Sequence, residues 1–234
     1  MRILAIDTSV GSGSVAAVDQ SGSAERPLGP AGGHARLLTA ALAEVADRRG
    51  WTGIGGLAAD DVIAVIRGPG SFTGLRVGVA AAKALAWTTG ARLVGVSGFE
   101  VLARQAAQSA DWNDEPIAIA YDAGRGEVYA ATATPTTRGW SIDAPLILPL
   151  DDWLRSLPHG GRVTGPAVDA MSERLAARGD LALPPAAARH PTAVEVAAVA
   201  RDRAAVGAID DPHTLLPDYL RPSYAEERKR PATG

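Results

Sequence analysis

Cysteine is absent from this chain of 234 residues, and so are long apolar runs. Without cysteine there is no disulfide, no thiolate nucleophile and no thiolate metal site. The sequence contains no run of about 18 apolar residues, the length needed to span a membrane. Its first residues lack the pattern of a secretory leader. With 47% hydrophobic and 21% charged residues, the composition is that of an ordinary globular protein. We therefore expect a cytoplasmic protein.

An excess of positive charge is also lacking. The formal net charge is −3, which gives no general attraction for nucleic acid or for anionic membranes. The one dense basic run, at residues 227–230, lies near the C-terminus. We expect the isolated chain to have negligible affinity for nucleic acid.

The four histidines, at positions 34, 159, 190 and 213, have neither HxxxH nor HExxH spacing. Such spacing would place two imidazoles on one helical face for a metal ion. The sequence therefore does not predict a metal site. His34 begins a predicted helix, and packing of its ring against the helix end is favoured over a catalytic role.

The order of strands and helices indicates an α/β protein of two lobes, 1–108 and 109–234, the second being smaller with a partly frayed tail. Each lobe opens with a β-hairpin signal, in which short apolar runs flank a turn rich in glycine. The remaining predicted helices lie at 35–49, 97–110, 151–157 and 167–177. A further helix runs from the loop after residue 70 to residue 90, and a last long helix lies within 191–207. The remaining predicted strands lie at 62–67, 91–96 and 162–165.

The stretch GPGSFTGLR (Gly68–Arg76) joins a predicted strand to a predicted helix, an order that often holds phosphate. Its glycines read GxGxxxG, one residue longer than the dinucleotide fingerprint. No Lys-Ser or Lys-Thr follows Gly74, as a P-loop requires. Ser71 is better placed to cap the helix, while the glycines before it let the backbone turn.

Three polar residues, Asp7, Thr8 and Ser9, end the first predicted strand. They could face a bound phosphate and metal, but a hairpin turn uses the same residue types for local hydrogen bonds, and we favour the turn. Asp122 and Glu127 flank the second turn and have the same two interpretations. No acid/base pair or nucleophile is established by these patterns.

The helix that follows the glycine-rich stretch is apolar on more than one side. Its small residues, among them Ala81 and Ala84, would let another helix approach closely, although burial in its own lobe is an equally good explanation.

Several motifs together resemble the bacterial TsaB (YeaZ) family of tRNA threonylcarbamoyladenosine biosynthesis proteins. The match runs in order through roughly the first 130 residues, with a further likeness near the C-terminus. The motifs are ILAIDTS at the N-terminus, HARLL at 34–38, GPGSFTGLRVG at 68–78, LVGVSGFEVLA at 93–103, DAGRGEVY at 122–129 and PDYLRPSYAE at 217–226.

This resemblance implies a two-lobed fold like that of actin and Hsp70. It also implies a non-catalytic partner of the transferase TsaD, acting with the ATPase TsaE, forming a homodimer when alone and reaching tRNA only through the complex. Cofactors are not expected in the isolated chain; ATP or ADP would bind only in the complex, and Asp7, Thr8 and Ser9 would be a vestigial phosphate loop.

The family's mode of association implies that helices 35–49 and 74–89 meet the equivalent pair of a partner in a four-helix contact. The interface residues expected from this are His34, Leu38, Leu42, Phe72, Leu75, Arg76, Val79, Ala81, Lys83 and Ala84.

Two other functions remain open at this point. An ATP-dependent small-molecule kinase of the same fold would use Asp7 and Asp122 around a metal-bound nucleotide. A metallopeptidase is opposed by the histidine spacing.

Overall fold

The computed structural model describes residues 1–11, 13–29, 33–137 and 139–221. The first lobe contains β1 (Ile3–Asp7), β2 (Ser14–Asp19), β3 (Gly22–Pro27), α1 (His34–Arg48), β4 (Val62–Gly68), α2 (Phe72–Thr89), β5 (Arg92–Ser97) and α3 (Gly98–Ala110), with a 3₁₀ helix at Ile54–Gly56. Its sheet has the order β3-β2-β1-β4-β5. Strand β1 runs antiparallel to β2 and parallel to β4.

The second lobe repeats the first part of this arrangement. Its elements are β6 (Ile117–Gly124), β7 (Glu127–Thr136), β8 (Gly139–Ile142), β9 (Leu146–Pro149), α4 (Leu150–Ser156), β10 (Arg162–Thr164), α5 (Ala167–Ala170), α6 (Ser172–Arg178), a 3₁₀ helix at Ala186–Ala188, and α7 (Ala193–Ala205). Strand β6 runs antiparallel to β7 and parallel to β10, as β1 does to β2 and β4. Strands β8 and β9 both pair with β7. The two-lobed, actin-like α/β fold is thus confirmed.

The central strands of the first sheet are apolar on both faces because both faces are covered. Alternate side chains of a strand point to opposite faces. Leu4 and Ile6 pack with α1 and α2, whereas Ile3 and Ala5 pack with α7. A sheet covered on both sides needs such continuous apolar strands.

Two helices cross between the lobes in opposite directions. Helix α3 follows the first sheet, yet its Phe99 and Leu102 pack against Ile117 and Ile119 of the second. Helix α7 follows the second sheet and packs against the first. The division of the chain at residue 108 stays a prediction. Helix α7, from the later part of the chain, nevertheless contributes side chains to the core of the first lobe.

Most predicted elements are present within one or two residues of their expected bounds. Strand β3 was not predicted, because its sequence GSAERP is polar and lacks β-branched residues. The helix expected at 167–177 is divided at Met171 into α5 and α6. The tail expected to fray, with its basic run, lies outside the described residues from position 222 onward. None of the helices in the described ranges is long and apolar enough to cross a membrane.

Candidate functional site

The loop between β4 and α2 starts the helix in the way the sequence predicts. The Ser71 hydroxyl oxygen accepts a hydrogen bond from the Gly74 N–H at 3.3 Å, which satisfies one of the free donors of the first turn. Gly90, with φ of +73°, ends the helix in the left-handed conformation. The residues from Gly68 to Gly74 are named the glycine loop below.

Glycines in this loop lie where the turn of the first hairpin comes too close for a side chain. A Cβ atom at Gly70 would overlap the carbonyl oxygen of Ser9, and one at Gly74 would overlap that of Thr8. The Ser71 N–H donates to the Ser9 carbonyl at 2.7 Å. The glycine loop is therefore packed directly against protein backbone.

The three candidate phosphate-loop residues bond within the protein. Asp7, Thr8 and Ser9 are all buried. One carboxylate oxygen of Asp7 accepts bonds from the Ser9 N–H at 2.8 Å and from its hydroxyl at 2.6 Å. The Thr8 hydroxyl donates to the Gly74 carbonyl at 2.7 Å. These bonds are the turn chemistry favoured from the sequence, to which the contact with α2 adds a tertiary bond.

The second carboxylate oxygen of Asp7 has no hydrogen-bond partner in the part of the chain that the structure describes. Burial raises the pKa of Asp7 from its ordinary 3.8 to about 6, and the bonds from Ser9 and the attraction of His34 only partly oppose this rise. This carboxyl group therefore keeps its proton to a higher pH than an exposed aspartate does.

Tyr121 of the second lobe lies close enough for the Asp7 charge to act on it, a neighbour that sequence reasoning missed. Burial raises the pKa of Tyr121 well above its ordinary value, and the Asp7 charge raises it further. Its hydroxyl is buried without a partner among the described residues. No sequence signal pointed to this proximity, since the two residues belong to different hairpins.

His34 is buried at the start of α1, where its Nε2 lies 3.2 Å from the Gly29 carbonyl oxygen. This matches the packing role favoured from the sequence. The ring borders a cavity of about 320 Å³ that Thr8 and Thr73 also line, whereas Asp7 is not among the described lining residues. No group of three or more histidine, aspartate or glutamate side chains in the described ranges could hold a metal ion.

The two acidic residues of the second hairpin have different surroundings. Asp122 is exposed, and its carboxylate accepts the Gly124 N–H at 2.7 Å, as expected for a turn. Glu127 forms an ion pair with Arg221, a residue that the sequence did not connect with it.

Half of the ten predicted interface residues are occupied by core packing. His34, Leu38, Leu42, Leu75 and Val79 are buried in the chain itself. Ala81 and Lys83 are partly buried, while Phe72, Arg76 and Ala84 are exposed. The interface itself stays a prediction. Of the ten residues, the five that are not buried in the chain retain surface for a partner.

Phe72 and Arg76 form an exposed cluster with Tyr219. The Phe72 and Tyr219 rings are 4.8 Å apart, the Arg76 guanidinium lies 3.9 Å from the Phe72 ring centroid, and its Nε donates to the Tyr219 hydroxyl at 2.8 Å. Tyr219 was missed because the prolines and charges around it suggested a surface tail.

Comparison with known proteins identifies similar proteins both by sequence and by structure. The chain is 32% identical to the tRNA threonylcarbamoyladenosine biosynthesis protein TsaB of Bacillus subtilis (strain 168), over 71% of this chain and 72% of that protein. Residues 33–143 match the family described as TsaD, tRNA N6-adenosine threonylcarbamoyltransferase.

Two solved structures from Pseudomonas aeruginosa have the same fold. YeaZ matches with a TM-score of 0.75 and 25% identity over 93% of this chain and 100% of its own. A structure described as an uncharacterized protein with similarity to peptidase YEAZ matches with a TM-score of 0.76 and 24% identity, over 94% of this chain and 99% of its own.

Proposed function

This chain belongs to the TsaB (YeaZ) family of tRNA threonylcarbamoyladenosine biosynthesis, and from this we propose that it is a non-catalytic subunit that binds TsaD. In this proposal, TsaD transfers threonylcarbamoyl from its adenylate to the adenosine beside the anticodon of tRNAs that read codons beginning with A. The present chain supports that reaction together with the ATPase TsaE.

The observation that carries the proposal is the outward side of α2. Six of its residues lie on one side of the helix and are named the docking face: Phe72, Arg76, Ala80, Lys83, Ala84 and Trp87. The side chains of Phe72 and Trp87 are 36% and 65% exposed. Aromatic residues and arginine are enriched at protein interfaces. Ala80 and Ala84 would let a partner helix axis approach to about 8–10 Å.

Charge favours a partner that differs from this chain. Helix α2 carries Arg76 and Lys83 and no acidic residue, so a partner face with carboxylates would complement it. The TsaD family match at residues 33–143 includes α1 and α2, which implies that TsaD has counterparts of both helices. We propose that a second copy of this chain occupies the docking face when TsaD is absent, forming a homodimer.

The rival kinase function requires room for phosphates between the first hairpin turn and the glycine loop. Backbone contacts of Ser9 with Gly70 and of Thr8 with Gly74 leave no such room where these segments meet. Asp7 is buried and is not among the described residues that line the neighbouring cavity of about 320 Å³. This supports the proposal that ATP or ADP binds only within the complex. Calorimetric titration of the isolated chain with ATP should detect weak or no binding; turnover of ATP that is lost in Asp7→Ala would favour the kinase.

We further propose that tRNA reaches this chain only through the complex, in the cytoplasm. The net charge of −3 supports this, since binding to the tRNA backbone needs concentrated positive charge. A salt-dependent gel shift by the isolated chain that survives deletion of residues 226–234 would contradict it.

The decisive experiment places a charge in the docking face. Ala84 is exposed whereas Ala81 is partly buried, so Ala84→Glu is the suitable variant. An unpaired carboxylate buried at an interface costs several kcal/mol, and a micromolar complex has only about 8 kcal/mol of binding free energy. Size-exclusion chromatography with light scattering, with and without TsaD, should therefore show loss of both the homodimer and the heterodimer.

Ala176→Glu on α6 is the matched control, because it adds the same charge to an exposed helical alanine of the other lobe. It should leave both complexes intact. If a folded Ala84→Glu protein binds TsaD as tightly as the unchanged chain, the docking face is not the interface.

A further inference from the structure

After α7, the chain returns across the first lobe toward the second, and this segment, residues 210–221, is named the strap. It begins at the edge of the first sheet, where the Asp210 N–H donates to the Leu93 carbonyl and its carboxylate accepts the Gly95 N–H, both at 2.8 Å. Leu215 is then buried in the core beneath α2. The strap is thus fixed to the first lobe at its start.

The strap next runs along α2 beside the docking face. The His213 ring lies 4.6 Å from that of Trp87, and the Lys83 ammonium donates to the Leu215 carbonyl at 3.1 Å. Leu216 and Tyr219 are 68% and 41% exposed. Since the Tyr219 ring packs on Phe72 of the docking face, the strap adds an exposed aromatic ring to that surface.

The last residues of the strap connect the two lobes. The Asp218 N–H donates to the carbonyl of Arg67, the residue before the glycine loop, at 2.7 Å. Arg221 donates to the Ala123 carbonyl at 3.0 Å and forms the ion pair with Glu127 at the turn of the second hairpin. The Arg221 side chain is only 16% exposed, so this anchor is well shielded from water.

We propose that the strap forms part of the TsaD-binding surface and couples it to the turn of the second hairpin. This inference rests on the proposed function above. Tyr219 lies between two anchors, Asp218 on the first lobe and Arg221 on the second, and its ring and hydroxyl hold Phe72 and Arg76 in place. Loss of the Arg221 anchor frees Tyr219, and a partner must then order the strap on binding, which weakens affinity.

Coupling of this kind is reciprocal, because two linked binding equilibria change each other by the same factor. TsaD bound at the docking face should therefore slow amide exchange in the strap and at the second hairpin turn. The hairpin turn would respond although it lies in the other lobe.

The test uses Arg221→Ala and the milder Glu127→Gln in the full-length chain, with TsaD affinity and hydrogen exchange of residues 213–221 as readouts. We expect Arg221→Ala to weaken TsaD binding about tenfold, equivalent to 1.4 kcal/mol, and to speed exchange in the strap. Glu127→Gln should do the same to a smaller extent. Arg174→Ala, which removes the Arg174–Asp151 ion pair elsewhere in the second lobe, is the control and should change neither readout.

A double-mutant cycle decides whether Arg221 acts through Tyr219. Tyr219→Ala alone should weaken TsaD binding, and adding Arg221→Ala should weaken it little further. Fully additive effects would show that Arg221 acts by another route and would overturn the coupling. If the unchanged chain does not bind TsaD, the proposed function fails; if it binds and both Arg221→Ala and Glu127→Gln bind equally well, only the inference about the strap fails.

Discussion

The turns of the two hairpins have the same local chemistry in opposite surroundings. In each, an aspartate near the end of the first strand accepts the N–H of the residue two positions later, Asp7 from Ser9 at 2.8 Å and Asp122 from Gly124 at 2.7 Å. Asp7 is buried and Asp122 is exposed. Since the local bond is the same, the difference comes from what packs on the turn.

What packs on the first turn is the glycine loop, and its missing side chains make that approach possible. The backbone of the glycine loop thereby lies directly against the backbone of the first turn, and Asp7 is buried. The second turn has an equally suitable aspartate, but its glycines have no neighbouring atoms close to the side-chain position. Close packing, and not the turn sequence, distinguishes the two.

Alanine substitutions in the two regions should give the largest contrast. Gly70→Ala adds a Cβ that overlaps the Ser9 backbone and also strains a φ of +154°. Overpacking costs 1–3 kcal/mol and the strain about 1–2 kcal/mol more. Urea unfolding should therefore show a loss of about 4 kcal/mol.

Gly124→Ala is the matched variant in the second turn. Its φ is +71°, and nothing lies within 4 Å of the added Cβ. Only the strain remains, and we expect a loss of about 1 kcal/mol. Equal losses at the two positions would mean that close packing does not distinguish the turns.

The next largest effect concerns the pH dependence of stability. Asp7 has a folded-state pKa of about 6, against an ordinary 3.8, so the folded protein binds this proton more tightly than the unfolded chain. Stability from this group is present at low pH and is lost as pH rises from about 4 to 6. A difference of about two pKa units corresponds to about 3 kcal/mol.

Asp7→Asn should remove this part of the pH dependence. Urea midpoints measured from pH 4 to pH 8 should fall less steeply in the variant than in the unchanged protein. The comparison uses slopes, because the new amide also changes stability at every pH. Parallel curves for the two proteins would show that Asp7 does not titrate in this range.

Local features of the fold could be predicted from the sequence, but contacts between distant segments could not. Apolar runs around Asp7 and Asp122 indicated both hairpins, and the spacing of Leu38 and Leu42 indicated α1. The bond between Arg76 and Tyr219 joins residues 143 positions apart, and local patterns contain no information on such a pair. The polar edge strand β3 was missed because its stability depends on its neighbour β2, and its own sequence is not typical of a strand.

The smallest expected effect tests whether Tyr121 of the second hairpin acts on Asp7 of the first. The Tyr121 hydroxyl is buried and has no partner among the described residues, so its removal in Tyr121→Phe loses no hydrogen bond and relieves a desolvated polar group. The free energy of unfolding should stay the same or rise by up to about 1 kcal/mol, and the pKa of Asp7 should remain raised because burial is its main cause. A loss of more than 1 kcal/mol would show that the hydroxyl forms a bond to Asp7 or to a bound water, and the first turn would then be held by a polar link between the lobes as well as by the glycine loop.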